Sequence, residues 1–466
     1  MAWITDLLIA ANILALLYFL VVNGSYITLI LLSWLQVRES RRQDNLFDLS
    51  GLFDTDLYRS ASILAPAYNE EISIVESTRT LLNLQFSNYE VIVINDGSTD
   101  RTLDKLIENF DLREIDRYIP KRLETELVRR VFGSKKHPNL YVIDKENGGK
   151  ADALNAGINA SRKDLIFSVD SDSLLEEDVL KRMLTAFTLD QETVAVGGVV
   201  RVANGCTFRH GVVDSVRVPD SYIERAQAVE YLRSFLFGRS SWDYLDSLLI
   251  ISGAFGVFDR EAVIRIGGYL TDTVGEDMEL VVRLHRYYID NKIPYRIRFL
   301  PHPVCWTEVP DNRKTLGRQR NRWHRGLADT LFRHRKMLLN PKYGRLGLFA
   351  MPFFLFVELL SPVIELAGYV LFIVSWLLGV INFTFFLLFF TVALLLGVIM
   401  SVLSVLLEEL TMKKYDRVRD VMVLVLYAFL ENFGYRQMHV WWRFRGLIDF
   451  IRGKKEWGKM VRKKTF

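Results

Sequence analysis

Four stretches of the chain gather residues that can do chemistry: VIVINDGSTD (91–100), LIFSVDSDS (165–173), TVGEDMEL (273–280) and QRNRW (319–323). Asp170 and Asp172 flank a serine, a spacing that lets two carboxylates converge on one divalent cation and on diphosphate oxygens. Hard cations such as Mg²⁺ or Mn²⁺ take oxygen ligands and commonly share them with substrate phosphates. A lone Asp-x-Asp reads as solvated loop acids. Here it follows an apolar run, and Asp96 ends an earlier one, which favours binding. Glu276 and Asp277 precede a helical pattern. One of these carboxylates can take a proton from a hydroxyl while a cation draws charge off a leaving diphosphate. Acids also favour a helix start for electrostatic reasons alone, so capping is the other use of this pair.

Gln319, Arg322 and Trp323 stand at i, i+3 and i+4 and share one face of a helix. Arginine offers a fixed fork of donors to a diphosphate, and an indole offers an apolar face to a sugar ring. With Arg318, Arg320 and Arg325, the same segment also reads as a basic amphipathic helix at a membrane surface. Lys150 follows two glycines in NGGKADALN. It suits a phosphate and a Gly turn capped by a surface lysine equally, since the spacing is not that of a P-loop.

Positioning these groups requires a particular scaffold. Apolar runs that end in carboxylates with Ser or Gly read as buried parallel strands, and open α/β sheets bind ligands at that carboxyl edge. SILAPAYNEE (62–71) suits a first strand and its loop, followed by a helix over 71–84 and a strand over 90–95. A strand over 140–143, a helix over 151–160 and a strand over 165–169 continue the alternation. That order predicts a doubly wound sheet within one domain, residues 41–345. The charged segment 102–134 has apolar residues at helical spacing and is expected as a surface helical insertion without a catalytic part. Cys206 and Cys305 have no CxxC spacing and read as reduced, structural thiols.

Charge-free length points to a membrane. Residues 7–37 and 366–407 carry no charged side chain, where one helix needs about 20 apolar residues to cross a bilayer. The first stretch reads as one anchor (1–40), too long for the apolar region of a signal peptide. The second reads as two spans turning near Asn382 and Thr384. Arg38, Arg41 and Arg42 follow the first span while only Asp6 precedes it, which puts residue 38 onward in the cytoplasm. Residues 421–442 carry Glu431, Arg436 and His439. They are expected as a helix along the inner surface, with a third span as the alternative. Residues 346–442 then form a C-terminal membrane region and 443–466 a basic tail. The net charge of +4, with 50% hydrophobic and 24% charged residues, is an average over soluble and membrane parts.

Taken together, Asp96, Asp170-x-Asp172, Glu276-Asp277 and Gln319-x-x-Arg322-Trp323, in this order, resemble processive family 2 glycosyltransferases, the group of cellulose, hyaluronan and poly-N-acetylglucosamine synthases. The resemblance covers roughly residues 60–345. It implies a GT-A fold in a cytosolic domain flanked by transmembrane helices, in a multi-pass inner-membrane protein. It also implies a UDP-sugar donor, a carbohydrate acceptor, contact with membrane lipid, no nucleic acid, and Mg²⁺ or Mn²⁺ as cofactor. By the same resemblance, Ala67, Tyr68, Asn69 and Glu70 with Asp96 hold the uridine, and Asp170 and Asp172 hold the diphosphate with its metal. Asp277, beside Glu276, is the base, while Gln319, Arg322 and Trp323 close over the diphosphate and floor the acceptor site. Ser252, Gly253 and Ala254 in ISGAFGVF stand beside the acceptor. One evident N-terminal span, where some relatives have two or more, bears on the route of export. The alternative is a non-processive transferase that adds one sugar to a polyprenyl phosphate or glycolipid.

Overall fold

Val-, Ile- and Leu-rich runs with buried faces on both sides become the central strands of a sheet. In this computed structural model, residues 2–46, 59–209, 212–380, 383–415 and 417–454 are described. Among them the strands are β1 (Ala61–Ala67), β2 (Tyr89–Asp96), β3 (Leu112–Glu114), β4 (Val128–Ser134), β5 (Leu140–Lys145) and β6 (Leu165–Val169). They continue as β7 (Leu174–Leu175), β8 (Thr193–Val202), β9 (Thr207–Arg209), β10 (Val212–Ser215), β11 (Phe255–Asp259) and β12 (Arg296–Thr307). One ten-stranded sheet has the order β3, β4, β5, β2, β1, β6, β11, β8, β12, β7, and β9 pairs with β10 apart from it.

The block β5, β2, β1, β6 is parallel, as the strand and helix alternation requires. Every residue of β2 and β6 is buried, because helices cover both faces of a parallel sheet. The whole sheet is mixed, unlike the expected doubly wound form: β11 runs antiparallel between β6 and β8, and β4 runs antiparallel to β5. Segment 102–134 is likewise only partly helical. Its helix ends at Phe110, and β3 and β4 then pair as an antiparallel edge. Cross-strand pairing overrides the helical spacing there.

The helices that frame the site are α1 (Ala2–Leu46), α2 (Lys150–Ala160), α3 (Tyr222–Tyr231), α4 (Glu276–Asp290) and α5 (Arg313–Arg333). Beyond the sheet run α6 (Ser361–Leu377), α7 (Phe383–Thr411), α8 (Val418–Leu430) and α9 (Tyr435–Ile451). Among the described residues, Thr5–Ser40 is long and apolar enough to cross a membrane, by length and composition. Leu346–Leu359 with Ser361–Leu377 form a second candidate, bent by 43°. The two helices expected over 366–407 are α6 and α7, and the turn residue Asn382 lies outside the described residues.

The C-terminal end departs from expectation. Residues 421–442 do not form one surface helix: α8 and α9 join at Gly434, whose φ of 86° suits glycine, and α9 runs through position 442 to Ile451. Residues 455–466 of the expected tail lie outside the described residues. α9 packs on α5 at two glycines: a Cβ on Gly317 would stand 2.7 Å from Trp442 Nε1, and one on Gly446 2.8 Å from Asn321 O. Arg320 and Arg325, read from the sequence as part of a basic amphipathic helix at a membrane surface, are therefore buried against this partner.

Candidate active site

The loops leaving β1 and β2 are tied to each other. Asn69, at φ 57°, accepts from Thr99 N on its Oδ1 (2.8 Å) and donates its backbone N–H to Ser98 Oγ (3.0 Å). Glu70 N–H donates to Thr102 Oγ1 (2.8 Å). At the end of β2, Asp96 Oδ1 accepts from Lys145 Nζ (2.7 Å) and Gly148 N (3.0 Å), and its Oδ2 from Gly149 N (2.8 Å). Asp96 thus holds the glycine loop that starts α2. Lys145, fully buried, pairs with Asp152 (2.5 Å) as well.

Lys150 gathers the acids. Its Nζ lies 2.5 Å from Asp170 Oδ1 and 3.8 Å from Glu276 Oε1, and donates to Gly253 O (2.8 Å). Burial pushes its ammonium down, but Asp170, Glu276 and Asp277 together outweigh burial and hold it above the usual lysine range. It is not the surface cap of a glycine turn, and its ammonium lines the cavity beside Asp170. It is a largely buried tie between the Asp-x-Asp turn, the Glu-Asp pair and the 251–254 loop. Asp170 N–H also donates to Ala254 O (3.1 Å), which fixes the same loop to the turn after β6.

Glu276 and Asp277 open α4. Asp277 Oδ2 accepts from Gly253 N (2.9 Å) and Oδ1 from Met278 N (2.8 Å), so it caps backbone donors and still faces the cavity. Burial raises the Glu276 carboxyl above its ordinary range; Lys150 opposes this, and Asp277 adds to it. Two glycines bring α5 to this point: a Cβ on Gly275 would stand 2.7 Å from Gly326 Cα. No larger residue allows this approach. Gln319, Arg322 and Trp323 then line the same cavity as Asp277. Arg320, their neighbour, turns inward: Nη2 meets Glu230 (2.9 Å), Nε donates to His439 Nε2 (2.8 Å), and its guanidinium lies 4.2 Å from the Trp323 ring centre. Burial raises Glu230, yet Arg320 and His439 outweigh it and hold that carboxyl well below its usual range.

All the candidates face one cavity of about 2630 Å³: Ala67, Tyr68, Asn69, Glu70, Asp96, Lys150, Asp170, Asp172, Ser252, Gly253, Ala254, Glu276, Asp277, Gln319, Arg322 and Trp323. The cavity continues past Tyr26 of α1 and Glu358 to Glu365 and Trp376 of α6 and Gly397 of α7. There Tyr26 donates to Glu358 (2.8 Å), and Arg443 and Arg436 meet Glu358 (3.1 Å) and Glu365 (3.8 Å). Sequence reasoning missed Lys145, Glu230, Arg320 and the Gly275–Gly326 contact. The two glycines inside the α5 pattern, Gly317 and Gly326, were the available signal. Among the described residues no three His, Cys, Asp or Glu side chains converge as a metal cage. Asp170 and Asp172 still fit a hard divalent cation, which keeps water and substrate phosphate as its other ligands.

The model of glycosyl transferase family 2 matches residues 62–267, and that of glycosyl transferase family group 2 matches residues 165–407. The poly-beta-1,6-N-acetyl-D-glucosamine synthase of Staphylococcus aureus (strain COL) is 28% identical over 283 residues, 60% of this chain and 57% of that protein. Its counterpart from Staphylococcus epidermidis is 26% identical over 273 residues, 58% of this chain and 55% of that protein. The chain thus spans little more than half the length of these curated relatives. A mannosyltransferase from Pyrobaculum calidifontis, solved with GDP-Man and Mn²⁺, matches over 95% of this chain and 99% of its own at TM-score 0.52 and 15% identity, a likeness of fold.

Proposed function

The chain belongs to glycosyltransferase family 2, and from that premise we propose that it transfers N-acetylglucosamine from its UDP donor to a growing β-linked polysaccharide. The catalytic domain works at the cytoplasmic face of the cell membrane, and the product passes into the chain's own membrane helices. One observation carries the reading: the acids, the Gln319–Trp323 face and the polar groups of α1 and α6 share one continuous cavity. A simple surface cleft would serve a soluble acceptor; a cavity that runs on into the apolar helices suits a chain that leaves by that route.

In this reading Asp277 takes the proton of the acceptor hydroxyl on a carboxylate oxygen, while the sugar inverts and the bond to UDP breaks. Each of its oxygens already accepts one backbone N–H and keeps a second lone pair for the acceptor. Arg322 and the Lys150 ammonium offer positive charge to the leaving diphosphate, where charge develops in the transition state. Ala67 to Glu70 flank the uridine, and Asp96 shapes the glycine loop beside it. Trp323, 41% exposed and stacked by Arg320, floors the acceptor sugar. Asp170 and Asp172 would hold Mg²⁺ or Mn²⁺, which when bound neutralises charge on the diphosphate.

Purified full-length protein, offered a panel of UDP-sugars with Mg²⁺ or Mn²⁺, tests the assignment through UDP release and product size. Long chains at low conversion, protected from added glycosidase inside vesicles that display the catalytic domain outward, are expected. A lipid bearing a single sugar, extractable into organic solvent and constant in size with time, would replace the polymer reading by transfer to a lipid acceptor.

A further inference from the structure

Arg239 is a cavity-lining cation to which neither the sequence motifs nor the mechanism above gives a task. It closes an eight-residue π-helical stretch, Leu232–Arg239, that continues α3. Such widened turns are rare and concentrate at functional sites. Here the stretch sets Tyr231, Phe235 and Arg239, four residues apart, along the cavity wall. The guanidinium lies 3.6 Å from the Phe235 ring centre, and its Nε donates to Ile250 O (3.4 Å). Nη1 is buried, and among the described residues it has no hydrogen-bond partner.

Two other arginines that line the cavity, Arg233 and Arg320, each meet a glutamate, whereas among the described residues Arg239 meets none. A buried donor left without an acceptor costs about 1–3 kcal/mol or more when charged, so a resident acceptor would relieve it. Burial lowers the guanidinium to about 10, with Asp277 opposing the shift, so it stays charged at neutral pH. Its location is set by the loop it touches. Ile250 stands three residues before Gly253, whose N–H donates to Asp277 Oδ2 (2.9 Å). Arg239 and Asp277 therefore grip the same short loop and open on the same cavity.

We propose that Arg239 is a substrate-binding residue of the acceptor subsite: its guanidinium donates to an oxygen of the acceptor's terminal sugar, a hydroxyl or an N-acyl carbonyl, and so holds the reacting hydroxyl toward Asp277. The inference rests on the reading that the acceptor is carbohydrate. Full-length protein in detergent, with UDP-N-acetylglucosamine as donor and an N-acetylglucosamine tetrasaccharide as acceptor, provides the test. Arg239→Gln is expected to raise the acceptor KM roughly 10- to 100-fold, the worth of one charged hydrogen bond. Donor Kd should stay within about twofold, and Arg239→Lys should recover part of the loss.

An unchanged acceptor KM, or a donor Kd that rises in parallel, overturns the assignment. If Arg239→Gln yields no folded protein, as judged by circular dichroism and size-exclusion chromatography, Arg239→Lys carries the same test through its acceptor KM. Failure of the wild type to extend any oligosaccharide would instead refute the carbohydrate-acceptor reading itself, and that outcome is visible before any substitution is made.

Discussion

Replacing Lys150 by methionine keeps an unbranched side chain, one atom shorter, and removes its charge from between three acids. The ammonium lies 2.5 Å from Asp170 and 3.8 Å from Glu276. Removing one partner of a buried pair costs about 3–5 kcal/mol. Asp170 is 31% exposed, so water recovers part of its solvation and the lower end, about 3 kcal/mol, applies. For a domain of about 300 residues, with unfolding entropy near 2.1 cal/mol/K per residue, that lowers Tm by about 5 °C. The loss should depend on pH. Glu276 is already held above its ordinary range, with Lys150 opposing, and the variant lets it climb further. An acid whose pKa is higher in the folded than in the unfolded chain stabilises the fold below its unfolded value; that stability is lost as pH rises through the folded value. The Tm deficit of Lys150→Met should therefore be largest near pH 8 and shrink toward pH 5, as Glu276 takes up the proton that stands in for the lysine. Differential scanning fluorimetry of both proteins in the same detergent, in steps between those limits, measures it. A deficit that is flat with pH, or that grows toward acid, would refute the role of Lys150 as the common counter-ion.

Asp277→Asn should lower sugar transfer by about 10²- to 10⁴-fold while donor Kd stays nearly unchanged, because a base acts on the acceptor. A parallel loss of donor affinity, measured by calorimetry, would reduce Asp277 to a cap for Gly253 and Met278. Asp170→Ala or Asp172→Ala should abolish metal-dependent donor binding, and a chelator should reproduce both in the wild type. Full activity in excess chelator would remove the metal from the scheme. His285 is buried between Tyr295 OH (2.7 Å) and Leu248 O (2.8 Å), and burial pushes it down to about 4. A base depressed in this way leaves stability intact above its unfolded pKa near 6.5, and stability falls as pH drops toward the folded value. The total is about 3 kcal/mol. His285→Asn should flatten the acid side of the Tm profile relative to wild type.

Much of this was legible in the residues because it is local. The buried runs of β2 and β6 and the start of α2 lie within a residue or two of expectation, since alternation of apolar stretches and turn residues fixes them over short windows. The acids, the arginine and the tryptophan were also legible, because their types and spacing state a chemistry before any contact is known. What the tertiary structure alone decided involves partners far apart in the chain. Nothing near β11 announces that it runs antiparallel between β6 and β8. Arg320 and Arg325 read in sequence as a basic surface facing a membrane, since a charge is costly to bury unless paired, and their burial becomes intelligible only when Glu230, His439 and α9 close over them. Lys145 and Lys150 find their counter-ions only when the sheet edge brings Asp96, Asp152, Asp170 and Glu276 around them. The approach of Gly275 to Gly326 joins the Glu-Asp pair to the Gln319–Trp323 face. Periodicity records which face of an element is apolar; which distant charge neutralises a buried one is settled only when the chain has closed.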